Sequence, residues 1–274
     1  MTFLFIPVFI GFIISTVLYG TTCGQVICYY RRYSSDVLGM TSLVVFVWLM
    51  DTVQQFLMTD TIWYYLIYRC GGDTSSFSTA NWAVIFHVIP TEIAVVIVQC
   101  VFVRRIWIMS ERNKWTYLFS LPIIAGTVAD GAYIWKCHRF PSFHDDSKLQ
   151  WIPITAAACR ALTDIGIAVA MCTILRMKSG DMWKGSFVPV LADFALATGL
   201  VTSVATAGYL TALIAKPSEL YYIGIYYVYG RLHVNTLLAG LNARDVLRNM
   251  AKESLRQSTP RPKWPVMFAG PSAA

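Results

Sequence analysis

Charge is what this chain has least of. Only 14% of its 274 residues are Asp, Glu, Lys or Arg, against 56% hydrophobic residues and a mean hydropathy of +0.54. A soluble domain of this length cannot bury so much apolar side chain, so that class is excluded. The seven cysteines lack the short paired spacings of a zinc site or of a disulfide-stapled mini-domain. There is no Asn-x-Ser/Thr site, no internal repeat, no Walker motif, no nucleophile elbow and no HExxH. Nothing in the sequence asks for a cofactor. His138 and His144 with Asp145-Asp146 make the sole metal-like grouping, and it reads as a solvated polar loop. Asp145-Asp146 also lacks the third acid of an Asp-Asp-x-x-Asp diphosphate site.

What the chain has instead is apolar runs of the ~20 residues that a bilayer requires. Seven can be drawn: Phe3 to Tyr30, Leu38 to Met58, Trp82 to Val103, Trp115 to Trp135, Trp151 to Leu175, Phe187 to Ile214 and Leu220 to Ala243. The first lacks a basic flank and a cleavage site and reads as a retained anchor. Trp63-Tyr64-Tyr65 fits an interfacial aromatic belt. The sequence therefore predicts an all-α integral membrane bundle of seven transmembrane helices over residues 1–244. Residues 245–274 form a basic, then Pro-rich, disordered tail.

The net charge of +7 hints at nucleic acid only until its location is considered. The odd-numbered loops and the tail hold 15 basic residues, and the even-numbered loops hold 5. That bias is the signature of membrane orientation, placing the N-terminus outside and the C-terminus in the cytoplasm. The partner it implies is the lipid bilayer, with no nucleic acid. Which membrane is not distinguished, plasma membrane and endoplasmic reticulum fitting equally. The tail repeat of Arg244, Arg248, Lys252 and Arg256 suits anionic lipid or a cytoplasmic effector.

Several distinct blocks stand in order along the chain. They are Leu18-Tyr19-Gly20 with Gln25, Tyr29-Tyr30 and Asp36; Trp48-Leu49-Met50-Asp51; Gln99 with Arg105-Ile106-Trp107; Thr163-Asp164; and Thr198-Gly199-Leu200-Val201-Thr202-Ser203. The stretch from Asn235 to Arg244 closes the set and resembles a family-typical "NSLLASLNAR". Together the blocks resemble a large family of mushroom-type (basidiomycete) fungal seven-span proteins catalogued as a domain of unknown function. Gly240 stands where that family has serine, and span six lacks the usual basic-threonine-aspartate approach. The resemblance implies a fungal source and the fold, and it implies no activity.

The residues carry the rest. Counted from the cytoplasmic end of each helix, Asp51, Glu92, Asp164 and Arg231 all lie 12 or 13 residues up. At ~1.5 Å per residue that is roughly 18–20 Å, near mid-bilayer. Arg160 lies one turn from Asp164, His233 is near the level of Arg231, and Asn235 continues the polar face of span seven. Asp130 is expected higher and Asp193 lower. Five acids against Arg160 and Arg231 leave three carboxyls without a cation, which a dry interior tolerates only as neutral acids or beside another cation. Two readings stay open. The groups pair and lock the helices, Arg231 with Asp51 or Asp164 and Arg160 with Asp164, or they line a cavity for a ligand. Cys70 and Cys137 fall in expected outside loops, where a disulfide is one alternative and two thiols the other.

Span seven has no lysine, which excludes a retinal Schiff base. Span three ends in Val103-Arg104-Arg105, and span seven has no Asn-Pro-x-x-Tyr, which weakens a conventional G-protein-coupled receptor. The expectation is receptor-like or sensor-like binding of a small lipophilic ligand among the helices. The alternatives are a membrane-embedded enzyme, such as a protonation-initiated terpenoid cyclase using Glu92, Asp51 or Asp164 as the acid, and a proton-coupled transporter.

Overall fold

The computed structural model describes residues 2–34, 36–68, 82–139, 151–178, 188–215, 220–246 and 249, with side chains omitted at 2–4, 67–68, 175, 178 and 188–198. Every regular element among them is helical. The apolar runs condense into α1 (Thr2–Arg32), α2 (Leu38–Trp63), α3 (Trp82–Phe86), α4 (Val88–Met109), α5 (Ser120–Arg139), α6 (Trp151–Lys178), α7 (Val188–Ala215) and α8 (Tyr221–Asn242). The third apolar run is divided into α3 and α4 by its own sequence. Pro90 has no N–H to give, and its ring crowds the carbonyl four residues back, so the helix is interrupted at His87. Trp63-Tyr64-Tyr65, expected beyond span two, extends it: α2 runs into a π-helical turn over Tyr64–Tyr68.

Among the described residues, charged side chains are buried within an apolar interior and large apolar ones are exposed. Asp51, Glu92, Arg160, Asp164, Arg231 and His233 are buried, while Phe9, Ile10, Ile13 and Val17 on the outer face of α1 are exposed. In water such a face would be an adhesive patch, whereas in lipid it is the favourable surface. Among the described residues, five helical stretches are long and apolar enough to cross a membrane: Phe5–Arg32, Leu38–Leu66, Trp82–Met109, Lys114–Arg139 and Trp151–Ile174. Gly199–Ala215 is a shorter apolar helix. At 22 residues α8 has the length but is not among the five, and it buries more of its side chains than any other helix described. A helix enclosed by protein can carry polar groups that a lipid-facing one cannot.

That enclosure makes α8 the axis. It packs along α1 and against α7 and α4, while α6 joins α5 to α7. The α1–α8 crossing depends on two glycines. A Cβ on Gly11 would run into the Gly224 backbone, and one on Gly224 would run into the carbonyl of Pro7. Small residues allow this approach, and dispersion then holds the helices together where no hydrophobic force acts between them.

Candidate functional site

The layer expected from the helix counts separates into two networks. The first joins α8 to α1 and α2. Arg231 is fully buried and ion-paired with the equally buried Asp51. Its Nη1 also donates to the backbone carbonyl of Asp51 at 2.7 Å, its Nε to Ser15 Oγ at 3.1 Å and its Nη2 to Gln55 Oε1 at 2.8 Å. The guanidinium lies 5.1 Å from the Tyr19 ring centroid. One cation thus meets one carboxylate, and the remaining N–H groups find neutral acceptors, the condition for an ion pair to survive in a dry interior. Asn235 serves the same seam, donating to the Leu18 carbonyl at 3.2 Å and to Thr22 Oγ1 at 3.1 Å.

The second network joins α4, α5, α6, α7 and α8. A single nitrogen, Arg160 Nη2, lies 2.7 Å from Glu92 Oε2 and 3.1 Å from Asp130 Oδ2, and it also donates to Thr127 Oγ1 at 3.1 Å. Arg160 Nη1 donates to Gln99 Oε1 at 3.2 Å, and Gln99 Nε2 donates to Asp164 Oδ1 at 2.9 Å. The other Asp164 oxygen accepts from Thr206 Oγ1 at 2.9 Å and meets His233 Nε2 at 3.2 Å. Tyr226 donates to Glu92 Oε1 at 2.8 Å. Rings of Tyr209, Tyr226 and Tyr229 pack over this network, with His233 edge-on to Tyr229 at 4.6 Å.

The geometry corrects one expected pairing. Arg160 does not bridge to Asp164, although they lie one turn apart on α6. The long guanidinium reaches across to α4 and α5, the short aspartate turns to α7 and α8, and Gln99 spans the gap between them. Asp130, expected at a higher level, shares a guanidinium nitrogen with Glu92. Of the residues proposed for the layer, Glu92, Arg160, Asp164 and His233 come together here, and Asp51, Arg231 and Asn235 come together in the first network. The side chain of Asp193 lies outside the described residues, as do His144, Asp145-Asp146 and Cys70, and with Cys70 the proposed bridge to Cys137. Gln99, Thr127, Thr206, Ser15 and Gln55 were not expected at either site. Helical spacing held the signal, since Glu92 and Gln99 are seven apart and Thr127 and Asp130 three apart, each pair on one face.

Open space adjoins the second network among the described residues. A void of about 30 Å³ lies beside Gln99, Asp164, His233 and Thr236, enough for about one or two waters. A groove of about 580 Å³ lies between α4 and α5, walled by Val96, Cys100, Val103 and Trp107 on one side and by Ser120, Ile123, Ile124 and Val128 on the other. Thr127 lines the groove and accepts the hydrogen bond from Arg160.

At the end of α8 a third contact ties the helix to the α1–α2 connection. Arg244 is ion-paired with Asp36, which also accepts from Tyr29 Oη at 2.6 Å, and the Arg244 guanidinium sits 4.4 Å over the Tyr33 ring. The hydrogen bond from Arg244, helped by that from Tyr29, holds the Asp36 carboxyl below its ordinary range.

These features define a helical bundle of membrane-protein character with buried ion networks. Residues 160–246 match the model of a family described only as a family of unknown function (DUF6534). The match includes Arg160, Asp164, Arg231, His233 and Asn235 and excludes Glu92, Asp130 and the groove. No curated protein matches the chain, and no solved structure does.

Proposed function

We infer that the chain is a multi-pass, seven-span membrane protein, N-terminus outside and C-terminus cytoplasmic, that acts as a receptor or sensor by binding a small lipophilic ligand among its helices. Its fungal origin follows from the sequence resemblance. The observation that carries the ligand reading is the α4–α5 groove. Its volume of about 580 Å³ falls within the ~300–1,000 Å³ typical of small-molecule sites. Its walls are apolar with a few hydroxyls, and its Thr127 touches the buried Arg160 network. An occupant that displaces Thr127 disturbs a contact between α5 and α6, which is a physical route from ligand to helix packing. A cytoplasmic effector meeting the basic tail would read that change.

The enzyme reading has less to draw on. A cyclase needs a carboxylic acid facing a dry aromatic cavity, yet Asp51 lies on Arg231, Glu92 on Arg160 and Tyr226, and Asp164 on His233. The void beside Asp164 has room for about one or two waters, not for a terpenoid. The transporter reading draws on one observation, two carboxyls on one guanidinium nitrogen.

The test is photolabelling of the full chain in phosphatidylcholine vesicles with a diazirine-bearing long-chain alcohol, mapped by peptide mass spectrometry. Label is expected on the facing α4 and α5 stripes, and Cys100→Trp, which fills the groove, is expected to remove it. Label spread evenly over the exposed faces of α1 and α5, unchanged by that variant, would overturn the reading.

A further inference from the structure

We propose that the α4–α5 groove is a site for an anionic phospholipid, with one acyl chain between the helices and the head group held by Arg104 and Arg112. The proposal rests on the reading of the groove as the ligand site and names the ligand class.

Three observations carry it. The groove opens sideways toward lipid, because Ile124, Val128 and Tyr117 on its outer edge are among the exposed large hydrophobic residues. It also has the depth of one leaflet. From Val96 to Trp107 at ~1.5 Å per residue is roughly 16 Å, about half of a ~30 Å hydrocarbon core. Charge then distinguishes its two ends. Arg104 lines the groove near the end of α4, and the Arg112 guanidinium lies 5.5 Å over the ring of Trp107, another lining residue. Trp107 and Tyr117 are the aromatic residues expected at head-group level. The opposite end, at Val96, Thr127 and Val128, is apolar but for the Thr127 hydroxyl.

The backbone makes the placement of Arg112 specific. Glu111 and Arg112 have φ of 60° and 64°, the left-handed region that L side chains avoid. Each such residue costs about 1–2 kcal/mol. The turn they form brings the Arg112 N–H back to the Trp107 carbonyl at 2.8 Å, closing the end of α4 and swinging the side chain over the indole. A straighter exit would carry the cation away from the groove. Two forked guanidiniums at the membrane-surface end of an apolar, lipid-open slot suit a phosphodiester bearing extra negative charge. A neutral lipid satisfies the slot but leaves the arginines with only its zwitterionic phosphate.

The experiment is native mass spectrometry of the full chain purified from vesicles of equal phosphatidylcholine and phosphatidylserine, counting retained lipid. Phosphatidylserine is expected to be retained over phosphatidylcholine by roughly 10- to 30-fold, the effect of two surface cations. Arg104→Gln with Arg112→Gln should bring the ratio near one while total retention persists, and Arg104→Lys with Arg112→Lys should restore much of it. Ile124→Trp should lower retention of both lipids. A wild-type ratio near one, or a ratio unmoved by the double Gln variant, overturns the head-group assignment alone. Retention of both lipids unchanged by Ile124→Trp overturns the groove itself. Thermal midpoints matching wild type separate these outcomes from misfolding, and Arg104 and Arg112 are both exposed.

Discussion

Arg231 and Arg160 are the same residue type, both buried among transmembrane-type helices, and their surroundings differ in stoichiometry. Arg231 meets one carboxylate, Asp51, and spends its other donors on neutral oxygens. Arg160 meets Glu92 and Asp130 on one nitrogen. The packing differs in the same sense. Around Arg231, α1 and α8 approach until the Gly11 and Gly224 backbones touch. Around Arg160, α4 and α5 stand apart over a groove. The first half of the bundle has balanced charge and close backbones, which is how a permanent seam is built. The second carries an odd carboxyl and open space, which is where a bundle can respond to a ligand.

The largest test of this contrast replaces each acid by its uncharged isostere. Asp51→Asn leaves the Arg231 cation buried with no counter-charge, and breaking such a pair costs about 3–5 kcal/mol. In detergent the thermal midpoint should fall steeply or the folded protein should be lost. Asp130→Asn has the opposite expectation, since Arg160 then faces Glu92 alone and the site balances. Its stability should stay within about 1 kcal/mol of wild type or rise. Equal losses for the two variants would erase the distinction between the networks.

Packing supplies a test of intermediate size. Gly224→Ala places a methyl against the Pro7 carbonyl, and only movement of α1 relieves it. Overpacking of this kind costs about 1–3 kcal/mol. The control is Gly131→Ala on α5, where an added Cβ meets open space. It should be neutral or slightly stabilising, because alanine is the better helix former by ~1 kcal/mol. If both glycines tolerate alanine equally, the α1–α8 contact is not the seam described.

The contrast also explains what the sequence disclosed. The helices were legible because apolar runs of bilayer length have few other meanings, and the buried position of Arg231 was legible because a charge inside such a run must face protein. Rise per residue brought Glu92, Arg160, Asp164 and His233 within reach of one another, but it did not fix the direction each side chain takes. Arg160 and Asp164 lie four residues apart on one face of α6, yet the guanidinium reaches to α4 and α5 while the aspartate turns to α7 and α8, and Gln99 stands between them. Neutral partners such as Thr127, Thr206 and Ser15 gave no signal, because threonine and serine are ordinary occupants of membrane helices and gain meaning only from the charge opposite. The groove was hidden for a similar reason: Val96, Cys100 and Ile124 are ordinary side chains of apolar runs, and only the separation of α4 and α5 makes them a wall.

The smallest effect lies at the rim of the balanced half, where Arg244 and Asp36 fasten the end of α8 to the α1–α2 connection. Here the dependence is on pH, and its sign follows from the carboxyl. Hydrogen bonds from Arg244 and then from Tyr29 hold Asp36 below its ordinary value of 3.8. A carboxyl depressed in the folded state stabilises it wherever the unfolded chain would also be ionised, and that gain is lost as pH falls through the folded value. The latch is therefore complete at neutral pH and released only below about pH 4, the unfolded carboxyl range. Because the pair is partly open to solvent, Asp36→Asn should cost under about 1 kcal/mol at pH 7. Wild type and variant should then converge in thermal midpoint as the pH is lowered below 4. Curves that stay parallel down to pH 3 would mean that Asp36 acts there through packing or through Tyr29 rather than as an ionised partner of Arg244. The α1–α8 seam would then be held at this end by other contacts, Asn242 donating to the Gln25 carbonyl at 2.8 Å and the Asp245 N–H donating to Tyr33 Oη at 3.2 Å.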